Sequence, residues 1–181
     1  MNLTNPETLI LLMLSEIHEH LKIENGIDSK FVQKVICNGS TWALSWKYDS
    51  ILPNREKTPP IVSEVLEILN MWDRIESSYD DLSPEDRALV EGEAKPFGDA
   101  KFRGFDGNAE CDQIGVARCF IEDFDSCPRF KGRDLNSHLW GSLDNYRRML
   151  QVYRPILAEI TNGNLSATQL ASVLKAARAS R

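Results

Sequence analysis

Apolar residues recur at three- and four-residue spacing along most of the chain, and the interruptions fall at caps and turns. Thr4-Asn5-Pro6-Glu7 is a start signal twice over: Thr4 and Glu7 fit a capping box, and Pro6 suits the first helical turn. Ile10, Met13, Leu14, Ile17 and Leu21 follow on one stripe to about Ile23, and Asn25-Gly26 ends it. A second helix opens at Asp28 or Ser29, turns Phe31, Val32, Val35 and Ile36 inward, and stops at Asn38-Gly39. Ser40-Thr41 caps a third segment, Trp42 to Leu52, in which Trp42 and Trp46 share a face. Paired tryptophans at that spacing anchor helices to each other more often than they stack a ligand.

A proline-rich connection, 53–60, leads to the most periodic helix, Ile61 to Ser77, with Val65, Ile68, Leu69, Trp72 and Ile75 on one stripe. Ser83-Pro84-Glu85-Asp86 starts a short acidic helix that must end before Pro96. A sixth helix spans about Asn108 to Phe124, with Glu110 and Asp112 in its first turn and Arg118 beside its apolar face. Residues 125–136 read as a loop. The seventh helix runs from about Asn136 to Ile160, turns Trp140, Leu143, Tyr146, Leu150, Tyr153 and Leu157 inward, and is expected to kink or break near Gln151–Tyr153 because of Pro155. Leu165 to Leu170 holds a capping box and a hydrophobic staple that open a final helix through Leu174 and Ala177. No period-two run is sustained. The expected class is all-α: one domain over 1–181 with seven or eight helices and no sheet, divided into N-terminal helices 1–52, the linker 53–60, and the remainder 61–181.

Composition changes this picture little. A chain of 181 residues with 42% hydrophobic and 27% charged residues has enough apolar content for one core without disulfides or metals. A net charge of −6 argues against bulk attraction to nucleic acid or an anionic membrane. The charge is uneven: residues 1–128 carry 24 acids against 12 bases, and residues 129–181 carry 3 against 9. Either the basic segment packs beside the acidic one, in one chain or across a homo-oligomer, or it offers a docking surface. The first is the expected case. Cys37, Cys111, Cys119 and Cys127 form no CxxC pair and read as reduced, mostly buried thiols. The apolar run Leu9–Leu14 is too short for a leader core or a membrane span, so a cytoplasmic location with no membrane association is expected.

Catalytic motifs are sparse. There is no phosphate-binding loop, dinucleotide fingerprint or nucleophile elbow. His18 and His20 fall on different helical faces, whereas zinc-binding helices place histidines four apart. No metal or cofactor is therefore assigned. The acidic run Asp73–Glu93 reads as a solvated face. Residues 28–52 have a helix-turn-helix outline, yet the second helix offers one base, Lys47, where a recognition helix needs several. Phe130 among Arg129, Lys131 and Arg133 is a weak candidate for gripping phosphate and stacking a base.

The stretch Phe102-Arg103-Gly104-Phe105-Asp106-Gly107-Asn108 sets two aromatics among glycines just before a helix. The best constellation for a site is centred there: Phe105, Asp106, Glu110 and Arg118, joined by Arg148 if the seventh helix packs nearby. An arginine with two acids is more often a structural network than a catalytic centre, so no catalytic residue is assigned.

The order of segments resembles the YfbU family. The pieces that carry the resemblance are Leu3-Thr4-Asn5 with Leu9-Ile10-Leu11, Val65 to Leu69 leading to Trp72, Phe102 to Asp106 with Glu110, then Gly115 and Arg118. Tyr146-Arg147-Arg148-Met149-Leu150-Gln151-Val152-Tyr153 and Leu165-Ser166-Ala167 complete it. The segment 40–60, rich in Trp and Pro, and the loop 125–137 depart from the family pattern. The resemblance implies an all-α cytoplasmic bacterial protein and brings no activity or cofactor. A non-catalytic regulatory or protein-interaction module, self-associating or meeting a protein partner, is the expected function. A small enzyme or binding protein for a phosphorylated or nucleotide ligand is the alternative, followed by a nucleic-acid-binding regulator.

Overall fold

The computed structural model describes residues 3–24, 26–52, 58–95, 97–138, 142–160 and 163–178. Among them the chain forms α1 (Asn5–His20), α2 (Ser29–Cys37), α3 (Trp42–Lys47), α4 (Pro60–Asp80), α5 (Pro84–Glu93), α6 (Cys111–Arg118), α7 (Ser142–Glu159) and α8 (Ala167–Lys175). A π turn, Cys119–Asp123, extends α6, and a 3-10 turn, Pro128–Phe130, follows it. The class is all-α: the described residues contain no strand, only an isolated parallel bridge between Phe105 and Asn136.

The starts of α1, α2 and α8 follow their sequence signals, whereas the expected cap at Thr41 makes no side-chain hydrogen bond to α3. Thr4 and Glu7 close a capping box on α1, Asp28 accepts the Phe31 N–H at 3.0 Å to cap α2, and Ser166 with Gln169 boxes α8. Each cap satisfies amide groups that the first turn leaves without a partner.

α4 is the spine. Val65, Ile68, Leu69, Trp72 and Ile75 are fully buried on it, with α6, α7 and α8 packed around it and α5 against α8. A smaller apolar cluster of Phe31, Val35, Ala43 and Leu44 joins α2 and α3 to Cys119 and Phe124. Trp42 and Trp46 sit on Phe120, with ring centroids 5.7 and 5.4 Å away, so the tryptophan pair is an anchor between helices.

Several boundaries differ from expectation for local reasons. The third helix ends at Lys47, because Tyr48 leaves the helical region. The sixth begins only at Cys111, after the loop has turned at Asp106, and widens to π geometry at Cys119. The seventh is helical from Ser142 among the described residues and does not reach back to Asn136, since Leu135, Asn136 and Ser137 are spent on pairing with the central loop. Pro155 does not break it: the carbonyl it strips of a donor belongs to Gln151, which faces solvent, and the helix runs on to Glu159. Trp140 and most of the linker, 53–57, lie outside the described residues.

The two charge halves meet inside the chain. Arg129 pairs with Asp73 and Asp80 at 3.1 and 2.8 Å, Arg147 with Glu64 at 2.7 Å, Arg154 with Glu67 at 2.7 Å, and Lys175 with Glu93. The basic segment is thus laid along the acidic faces of α4 and α5. Phe130, expected in a loop open to a base, is completely buried against Phe102, with the Arg133 guanidinium over its ring.

One element departs from the core logic. In α1 only Ser15 is buried, and Ile10, Met13, Leu14, Ile17 and Leu21 are each more than half exposed. The periodic stripe that announced the helix lies on its outside.

Candidate functional site

The central loop is positioned by backbone pairing on both sides. The Phe105 N–H donates to Leu135 O and the Ser137 N–H donates to Phe105 O, both at 2.8 Å. Gly104 has φ +83°, and a Cβ there would lie 2.0 Å from the Leu135 carbonyl oxygen, so only glycine fits. Its own carbonyl accepts the Tyr146 hydroxyl at 2.6 Å. Phe102, Phe105, Trp72 and Tyr146 then pack edge-to-face and tilted around one another, with centroids 5.6–5.9 Å apart. Burial, with the Glu110 charge adding to it, pushes the Tyr146 phenol well above its ordinary range.

Asp106 and Glu110 are brought together, and both are buried. Asp106 holds the Asn108 N–H at 2.9 Å, an Asx turn. Glu110 is the junction: one carboxylate oxygen accepts the Asp106 N–H and the other the Leu143 N–H, each at 2.8 Å. The second of these amides lies in the first turn of α7, where the helix dipole favours a negative charge. A second buried acid, Glu76, does similar work at the other end of the loop. It accepts the Phe102 N–H at 2.8 Å and takes Arg133 in a two-toothed pair at 2.7 Å per bond.

The two arginines of the sequence-derived cluster lie elsewhere. Arg118 is exposed at the end of α6, and no hydrogen bond or ion pair joins it to Asp106 or Glu110 among the described residues. Arg148 donates to the Ala177 carbonyl at 2.9 Å and to Asn145, fastening α7 to the far end of α8. What converges around Phe105 is therefore a closed junction of buried acceptors, aromatic rings and backbone amides.

Two concavities lie beside the N-terminal helices instead, one of them shared with the π turn after α6. One, of about 300 Å³, is charged, but each of its lysines faces a carboxylate: Lys34 Asp123 at 2.9 Å, Lys47 Asp28 at 2.9 Å, and Lys30 Glu19 at 3.4 Å. The other, of about 410 Å³, is walled by apolar side chains of α1, α2, α3 and the turn after α3, including Leu11, Leu14, Val32, Leu44 and Leu52. The sequence held one signal for this region. Leu9–Leu14 is apolar without interruption, so α1 has more than one face to cover.

Among the described residues no group of three His, Cys, Asp or Glu side chains is placed to hold a metal ion, and no helix is long and apolar enough to cross a membrane. Cys119 and Cys127 are buried and their thiols are pushed up to about 12 and about 11, chiefly by burial, whereas Cys37 and Cys111 are exposed.

Comparison with known proteins bears on the same architecture. The chain is 32% identical over 150 residues to the UPF0304 protein MJECS11 of Methanocaldococcus jannaschii, an alignment covering 78% of this chain and 83% of that protein. No solved structure matches it. The YfbU domain model matches residues 1–176, a span that includes the Glu110 junction, the Gly104 crossing and the N-terminal helices alike. The chain belongs to the YfbU family.

Proposed function

We propose that the protein is a non-catalytic cytoplasmic module, regulatory or protein-binding, that self-associates through the outer face of α1. The observation that carries this reading is the exposed stripe of Leu9, Ile10, Met13, Leu14, Ile17 and Leu21. These side chains expose on the order of 500 Å² of apolar surface, the upper range for a patch on a monomer and much of the ~800 Å² that each partner buries in a standard interface. Ile10, Leu14, Ile17 and Leu21 follow the four-three-four spacing of a coiled-coil seam, so the same ridge on a second copy is a fitting occupant. Glu16 and His20 take the places of Leu9 and Met13 one heptad later, so the unbroken ridge is Ile10, Leu14, Ile17 and Leu21. Four unpaired cysteines accord with a reducing compartment.

The buried acids of the central loop support the non-catalytic part, because Glu76 and Glu110 spend their oxygens on amides and a guanidinium within the fold. The test is light scattering on wild type and on Ile17→Glu, which adds a charge to an already exposed position. Wild type is expected to elute as an oligomer and Ile17→Glu as a monomer with unchanged circular dichroism. An oligomer of undiminished mass in Ile17→Glu overturns the reading.

A further inference from the structure

The apolar concavity between α1, α2 and α3 goes beyond self-association, because it opens on the inner side of α1 while the ridge lies on the outer side. Only Leu14 belongs to both. Its volume of about 410 Å³ is within the range of small-molecule sites, and at ~30 Å³ per water-sized group it holds a molecule of about a dozen non-hydrogen atoms. The walls are mostly aliphatic, and no lysine, arginine, aspartate or glutamate lines them among the described residues; Ser15 and His18 are the polar members on α1. Further polar atoms enter at the start of α2. There the Tyr48 hydroxyl accepts the Asp28 N–H at 2.8 Å, which leaves the phenolic hydrogen to donate, and the Ser29 side chain stands next in the chain.

A charged ligand finds no carboxylate, lysine or arginine among the described lining residues and bears most of the cost of desolvation, whereas an uncharged aliphatic body gains by leaving water. We infer that the cavity beneath α1 binds an uncharged amphiphile, an aliphatic or aromatic body of about a dozen non-hydrogen atoms with one neutral polar head directed at Tyr48 and Ser29. Binding there packs α1 more firmly on α2 and α3 and links a small ligand to the helix that carries the self-association ridge.

The experiment uses the full chain with 1-naphthylamine, a neutral fluorophore small enough for the cavity whose emission shifts to the blue in apolar sites, and decan-1-ol and decanoate as competitors. Decan-1-ol is expected to displace the dye at one equivalent per chain, and decanoate at least tenfold less effectively. Val32→Phe fills the cavity and is expected to weaken binding at least tenfold. Leu52→Trp repeats that test from the opposite wall, so one misfolded variant does not remove the comparison. Ile17→Glu leaves the cavity intact and is expected to bind as wild type, which separates this inference from the self-association reading. Three results each overturn it: no displaceable binding in wild type, equal binding in both filled variants (dye on the outer ridge), or binding that appears only in Ile17→Glu (a second copy fills the cavity).

Discussion

Glu110 and Leu143 are joined by a 2.8 Å hydrogen bond in which the first turn of α7 donates to a carboxylate 33 residues earlier in the chain. The other oxygen of the same carboxylate holds the Asp106 amide, so one buried side chain fixes the central loop, the start of α6 and the start of α7. Glu110→Gln keeps the shape but replaces one accepting oxygen with an NH₂ group that faces an amide donor. The expected loss is about 2 kcal/mol, the cost of a buried donor left unpaired. Urea unfolding is the check, with a lower midpoint at unchanged slope.

Gly104 and Gly132 offer a controlled comparison. Both have positive φ, +83° and +77°, yet a Cβ at Gly132 meets nothing within 4 Å while one at Gly104 runs into Leu135 backbone. Gly132→Ala is expected to cost about 1 kcal/mol, the left-handed penalty alone. Gly104→Ala has to displace the loop as well and is expected to cost more than about 3 kcal/mol. Thermal unfolding of the two variants side by side tests the difference.

Asp28 predicts a pH dependence. The Phe31 amide, and after it Lys47, holds the Asp28 carboxyl below its ordinary value of 3.8. The folded form is therefore the stronger acid, and its stabilising contribution is complete above that value and lost as pH falls through the lower folded value. Asparagine still caps a helix but does not titrate. The stability difference between wild type and Asp28→Asn is expected to be constant from pH 5 to 7, by the linkage relation, and to shrink below pH ~4. A difference independent of pH down to acid unfolding speaks against the capping account.

Thiol chemistry reads the fold directly. Cys37 and Cys111 are exposed, and Cys119 and Cys127 are buried with raised thiol values. Native protein treated with iodoacetamide at neutral pH is expected to carry label on the first two and none on the others until denaturant is added, as peptide mass spectrometry would show.

How much of this was legible in the residues varies by element. These caps were legible because they are local: Thr4 with Glu7, Asp28 and Ser166 with Gln169 act within one turn. The outer position of Ile10, Leu14 and Ile17 was not, because periodicity defines a stripe without saying what covers it. Glu110 was legible as a helix-start acid, but its bond to Leu143 depends on tertiary placement of α7. Arg148 sits on the helix expected to bring it to Asp106, yet its rotation along α7 points it at Ala177. The charge imbalance was legible as a sum, and its resolution into Arg129–Asp80 and Arg154–Glu67 pairs needed the fold.

The central claim is that the outer face of α1 is covered by a second copy. Sedimentation equilibrium of the wild-type chain at neutral pH measures this most directly. The account predicts a concentration-dependent mass rising from 20.5 kDa to at least twice that value. A single species of 20.5 kDa at every concentration would contradict it.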